Sequence, residues 1–226
     1  MSILSILSIV PDISIKFVGL LLACYLAGTI PAAYLIVKLF HKKDVTKEGS
    51  GNVGTLNAFK VSNSKLTAVQ VLLADFLKGA VPVFIMIFFM NLGALQVYTA
   101  SLFILIGHNF NIWLRFKGGR GLASGSGFFA VINFVILLGW LVVWLIASLF
   151  KKGVLISNFA ATLSLPLTAV FFKNLIIKTA NPEIAMNDYN YFIIFVSAVM
   201  FIIILRHLEL FKNFSSKNKN SKITNQ

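Results

Sequence analysis

Two stretches, Gly49-Ser50-Gly51-Asn52-Val53-Gly54 and Lys117-Gly118-Gly119-Arg120-Gly121, carry the residue types that hold a phosphate. Glycines accept positive φ and let several backbone N–H groups converge, while neighbouring cations supply charge. Beside the first stretch, Ser50, Asn52 and Asn57 add hydroxyl and amide groups next to Lys47 and Lys60. Read alone it is a flexible connector, yet Ser-Gly-Asn-x-Gly is an unusual spacing for one. Beside the second, His108, Asn109, Lys117 and Arg120 lie close in sequence to Gly118, Gly119 and Gly121, which suits an anion cradle better than an interfacial helix end. The glycines at 119, 121, 125 and 127 also imitate a dinucleotide fingerprint, but no strand or βαβ pattern surrounds them. They equally fit close helix packing at Gly121 and Gly125. Asp75 and Lys78 are three apart, hence on one helical face, inside an apolar run where ionised groups are costly. They either form a self-contained pair or brace the basic loops. Arg206-His207 closes the last apolar run, a place where snorkelling cations are ordinary.

The elements that must position these groups are membrane spans. The chain is 58% hydrophobic with 22 phenylalanines, well above the roughly 45–50% of soluble domains. Apolar runs cover 17–40, 66–90, 95–114, 122–150, 154–177 and 189–205. Basic residues gather at Lys42, Lys43, Lys47, Lys60 and Lys65; at Arg115, Lys117 and Arg120; at Lys151 and Lys152; and from Arg206 through Lys222. The positive-inside rule puts all four groups on the cytoplasmic side only if 122–150 crosses twice, turning near Asn133. Seven spans result, with the N-terminus outside and both glycine-rich loops inside. The competing reading keeps 122–150 as one tilted helix and leaves the basic tail outside. Two spans in so short a run must be thinned around, re-entrant or shielded by protein. The expected fold is therefore all-α and polytopic, with about seven transmembrane helices, some short or re-entrant.

Residues 1–212 are expected to form a single transmembrane domain and 213–226, rich in Ser, Asn and Lys, a basic disordered cytoplasmic tail. The net charge of +13 follows the inner edges of the spans, so nucleic acid is not implied. Cys24 stands alone, which excludes a disulfide framework and a thiolate metal site, and it reads as a packing residue. The first ten residues lack a basic start, so no cleaved signal peptide is expected.

In order and spacing, Gly28-Thr29-Ile30-Pro31, the Gly49 to Asn57 stretch, Asp75-x-x-Lys78-Gly79, Gly107-His108-Asn109-Phe110, the Phe116 to Ser124 stretch and Arg206-His207 resemble the acyl-phosphate-dependent glycerol-3-phosphate acyltransferase (PlsY) family of bacteria. The resemblance covers nearly the whole chain. It implies a seven-helix protein of the cytoplasmic membrane with its C-terminus and active site on the cytoplasmic side. The implied reaction moves a fatty acyl group from acyl phosphate to the first hydroxyl of glycerol 3-phosphate, yielding lysophosphatidic acid and phosphate for phospholipid synthesis, with no cofactor or metal. It also implies Ser50, Asn52, Arg120, His108 and His207 as the catalytic set, with the histidines as hydrogen-bonding or proton-relay groups. Lys60, Asn57, Asn109, Lys117, Gly118, Gly119, Gly121, Asp75 and Lys78 complete the implied binding set.

The chain departs from the family pattern in several places. Gly54-Thr55-Leu56-Asn57 stands where Gly-Ala-Thr-Asn is usual, and Lys60 replaces an arginine, keeping charge but losing the planar two-pronged grip. Arg120 replaces a lysine, Leu210 an asparagine, and the usual paired serines are reduced to Ser157. These departures leave open a diverged, inactive member. A small anionic-metabolite transporter is the other alternative, though no internal repeat supports it.

Overall fold

The computed structural model describes residues 15–150 and 153–223, and among these every regular element is a helix. Lys151, Lys152 and the N-terminal segment considered for a signal peptide lie outside the described residues.

The first apolar run is two helices, α1 (Ile15–Gly28) and α2 (Ala32–His41), interrupted where Pro31 removes a backbone donor. The carbonyls freed by this break are not left bare. Asn111 donates its side-chain amide to Thr29 O, and the Lys78 ammonium donates to Ile30 O at 3.0 Å. Irregular backbone at membrane depth needs such partners, and here they come from the elements that build the polar end of the molecule.

A loop leads to the short α3 (Thr55–Ser62), then to α4 (Lys65–Phe88), whose Ser64 N-cap accepts from Thr67 N. α5 (Ala94–Asn109) ends in the glycine-rich turn that precedes α6 (Leu122–Ile132). α7 (Phe134–Leu149) follows immediately. The run from 122 to 150 therefore turns back at Asn133, as the charge distribution requires, and the single tilted helix is excluded. Asn133 is buried; its Oδ1 accepts from Val135 N, and its Nδ2 donates to Ile176 O and Thr179 Oγ1.

The next run breaks twice, into α8 (Val154–Leu163), α9 (Leu165–Phe171) and α10 (Lys173–Thr179). The final α11 (Tyr189–Ile223) includes the described part, 213–223, of the segment expected to be disordered. Neither glycine nor proline interrupts it beyond Arg206.

Five stretches are long and apolar enough to cross a membrane, namely Ile15–His41, Lys65–Phe88, Ala94–Leu114, Val154–Phe171 and Tyr189–Leu208; α6 and α7 are shorter apolar helices. This is a polytopic all-helical membrane protein. Helices approach most closely where a side chain is absent. A Cβ on Gly79 of α4 would run into the Ser124 carbonyl of α6, and one on Gly127 of α6 into the Phe76 carbonyl of α4. The close contact on α6 is thus made by Gly127, whereas Gly125, expected to pack closely, has ordinary room. At the end opposite the glycine-rich loops, Tyr98 stacks on Phe195 at 4.7 Å and meets Phe192 edge-on, closing the core with aromatic rings.

Candidate active site

The first glycine-rich loop is shaped from behind by Asn57. Its buried amide donates to Val45 O at 2.9 Å and Glu48 O at 3.2 Å, and its oxygen accepts from Ser50 N at 2.8 Å. Gly49 and Gly51 turn with φ of 63° and 72°, and a Cβ on Gly49 would collide with the Asn57 amide oxygen. Asn57, expected to bind substrate, therefore has its polar atoms committed to the loop. Ser50 is exposed, its hydroxyl accepting from Asn52 N, while Asn52 turns inward and is buried.

The second loop folds back on the end of α5. Asn111 caps a single 3₁₀ turn, Ile112–Leu114, accepting from Trp113 N at 3.0 Å, and Trp113 Nε1 donates to Thr29 Oγ1 at 3.0 Å. Arg115 and Phe116 then adopt φ of 53° and 62°, a costly pair of left-handed residues that reverses the chain. Gly118 N donates to Asn109 O and Gly119 N to His108 O, at 3.2 and 3.1 Å. Neither glycine tolerates a side chain. A Cβ on Gly118 would strike the His108 and Asn109 carbonyls, and one on Gly119 the His108 imidazole. From α11, Arg206 donates to Gly118 O at 3.1 Å and Gly119 O at 3.4 Å, and stacks over the Phe110 ring.

The two loops meet on a cavity of about 170 Å³. Asn52, Gly54, Thr55 and Leu56 line it from the first loop and α3; Leu72 and Asp75 from α4; His108 from α5; Arg120, Gly121, Leu122 and Ala123 from the second loop and α6; Asn158 from α8. The structure thus gathers Asn52, Asp75, His108, Arg120 and Gly121 of the expected set. Gly118, Gly119 and Asn109 stand one layer back, shaping the wall. Lys60 and Lys117 are exposed and do not line the cavity.

Lys78 is occupied elsewhere. It pairs with Asp75 at 2.8 Å and holds Ile30 O, so its charge braces the α1–α2 break against α4. Asp75 Oδ1 is 3.7 Å from His108 Nδ1, near but beyond hydrogen-bond length. His207 is fully buried, with Nδ1 on Ile203 O at 2.9 Å; a carbonyl only accepts, so the ring proton sits on Nδ1.

Arg120 makes no ion pair among the described residues, and burial pushes its guanidinium down from the ordinary value. A half-buried cation without a counter-ion attracts an anionic ligand. Around it, His108 Nδ1, both amide atoms of Asn109, Ser124 Oγ and His207 Nε2 are buried without hydrogen-bond partners among the described residues. Each such group costs about 1–3 kcal/mol, a cost that concentrates where a ligand is handled. The described residues hold no cluster of His, Cys, Asp or Glu suited to a metal ion.

Thr55, Leu56, Leu72, Ala123 and Asn158 also line the cavity, outside the set expected from the sequence. Asn158 carried a usable signal, an amide inside an apolar span. The others carried none, since small and aliphatic residues at these positions look like ordinary helix faces.

Fold and site together define a polytopic membrane enzyme that handles an anionic substrate within its helices. The chain belongs to the glycerol-3-phosphate acyltransferase family, whose profile matches residues 18–217, and it is an acyltransferase. It is 35% identical over 197 residues to the glycerol-3-phosphate acyltransferase of Endomicrobium trichonymphae, covering 87% of this chain and 90% of that one. To the enzyme of Syntrophotalea carbinolica it is 36% identical over 156 residues, covering 69% and 79%. The crystal structure of PlsY, an integral membrane glycerol 3-phosphate acyltransferase, in its glycerol 3-phosphate form superposes with a TM-score of 0.72 at 28% identity, covering 89% of this chain and 93% of that one. The lysophosphatidic acid form of the same protein gives 0.70.

Proposed function

We propose that the chain transfers a fatty acyl group from acyl phosphate to the first hydroxyl of glycerol 3-phosphate, releasing lysophosphatidic acid and phosphate. The observation that carries this reading is the convergence of both glycine-rich loops on one cavity beside Arg120, which has no ion pair among the described residues. Both substrates are phosphates, and acyl phosphate is already activated by a good leaving group. The protein needs chiefly to hold the alcohol against the carbonyl carbon and to stabilise charge on the carbonyl oxygen and the departing phosphate. The carbon–oxygen bond to the glycerol forms, the anhydride carbon–oxygen bond breaks, and the hydroxyl proton leaves.

In this reading Arg120 and Asn52 bind phosphoryl oxygens. His108, on the cavity wall, accepts the hydroxyl proton or orients the hydroxyl, and His207 acts from behind, beside Arg120. Exposed Lys60 and Lys117 draw anions toward the opening, and the exposed Ser50 offers a hydroxyl hydrogen bond there. Asn57, Asn109, Asp75, Lys78 and the glycines at 118, 119 and 121 hold the walls in place. The glycine-rich end faces the cytoplasm and the N-terminus lies outside, as the basic residues at that end favour. Residues 1–212 act as one transmembrane unit and the basic segment 213–226 as a cytoplasmic tail.

The test supplies purified protein with acyl phosphate and glycerol 3-phosphate, following phosphate and lysophosphatidic acid together. Equal appearance of both products is expected. A folded sample that yields neither overturns the proposal.

A further inference from the structure

α7 and α8 run antiparallel and are joined by two indole rungs. Trp140 and Trp144, four residues apart on α7, stack at 6.4 Å and 15°. Trp140 Nε1 donates to Thr162 Oγ1 at 3.3 Å, and Trp144 Nε1 to Asn158 Oδ1 at 2.7 Å. The rungs look alike but do different things. Thr162 passes its own hydroxyl proton to Asn158 O at 2.7 Å, so its hydroxyl is used in both directions and the rung is closed. Asn158 is not closed. An indole N–H only donates, so the amide oxygen must face Trp144 and the amide flip is settled. Its NH₂ is left over, without a hydrogen-bond partner among the described residues, on a buried residue, 7% exposed, that lines the cavity with Arg120 and Asn52.

Helix packing accounts for the oxygen and not for the nitrogen. Threonine, as at 162, would satisfy an indole without leaving two N–H donors over. From this placement we infer that Asn158 is a further substrate-binding residue whose Nδ2 donates to a phosphoryl oxygen in the cavity, and that Trp144 is the positioning residue that fixes its orientation. The inference rests on the acyltransferase reading for its substrates, but its ligand chemistry, a phosphoryl anion met by the Arg120 guanidinium and the Asn158 amide, with the Asp75 carboxylate on the same wall paired to Lys78, is independent of it.

The decisive substitution is Asn158→Asp, which keeps the oxygen for Trp144 and replaces the donor with a negative charge. With one substrate saturating and the other varied, Asn158→Asp should raise the KM of one phosphate substrate by at least about tenfold and leave the other nearly unchanged. Whichever KM rises tells whether acyl phosphate or glycerol 3-phosphate is bound. Trp144→Phe should raise the same KM by about threefold, while Trp140→Phe, which removes the matched rung, moves neither. Independently of turnover, inorganic phosphate should raise the Tm of the wild-type protein and not that of Asn158→Asp. If Asn158→Asp does not fold, Asn158→Leu takes its place with the same expected loss. Absence of acyl transfer by wild-type protein would sink the acyltransferase reading and leave the phosphate-dependent Tm to judge Asn158. Equal phosphate stabilisation of wild type and a folded Asn158 variant, or unchanged KM for both substrates, would overturn the inference.

Discussion

Arg206, from the last helix, donates to the Gly118 carbonyl oxygen at 3.1 Å and so clamps a loop 88 residues away in sequence. Gly118 cannot retreat, because its N–H is already bound to Asn109 O and its Cα faces backbone. Arg206→Ala frees the loop while leaving the cavity residues intact. We expect kcat/KM to fall by about tenfold to a hundredfold with a Tm loss of a few degrees, and Arg206→Lys to recover only part, since a single ammonium lacks the two-pronged reach. Steady-state kinetics with a thermal melt check this; full activity of Arg206→Ala would show that the clamp does not matter.

Asp75 and Lys78 form a buried pair whose lysine also serves Ile30 O. Breaking such a pair from one side strands the other charge at a cost of about 3–5 kcal/mol, more than removing both. Lys78→Met should therefore melt at a lower temperature than the double variant Asp75→Asn with Lys78→Met. The reverse order in a detergent-solubilised melt would contradict the buried ion pair.

Among the basic residues, Arg120 and Lys173 make a contrasting pair. Arg120 lines the cavity, whereas the Lys173 ammonium sits over the Tyr189 ring at 5.3 Å, at the opposite end of the molecule. Arg120→Ala should lower kcat/KM by at least about a hundredfold, the usual scale for losing a donor to developing charge. Lys173→Ala should stay within about twofold. Equal effects of the two would remove Arg120 from the site.

Asn57 supports the first loop through three hydrogen bonds, so Asn57→Ala should destabilise the protein by about 2–4 kcal/mol. Asn57→Asp loses the two donated bonds and should recover little. A melting temperature unchanged by either substitution would show that the loop holds itself.

The Asn133 reversal was readable in advance because charge on either side of a hydrophobic run constrains how often it crosses. The loops were readable because glycine next to cations has few uses inside an apolar chain. What could not be read was which polar groups face inward. Lys60 carries the right charge, but its turn of α3 points to solvent. Asn57 sits three residues before it and spends its amide on backbone. Spacing along a chain ranks neither, since the direction of a short helix is decided by packing against other elements. Asn158 shows in the sequence as an amide inside an apolar span, but the direction its amide faces depends on Trp144, 14 residues away on another helix.

The hairpin at Asn133 has unequal arms. α6 has 11 residues and α7 has 16, which at about 1.5 Å per residue makes one arm roughly 8 Å shorter than the other. The helix of the short arm stops at Leu122, so its end lies nearer the Asn133 turn than the Leu149 end of the long arm, and Arg120 sits in the loop just beyond it. A fatty substrate can keep its tail in hydrocarbon while its headgroup drops into this step, and the soluble alcohol has only to come down to meet it.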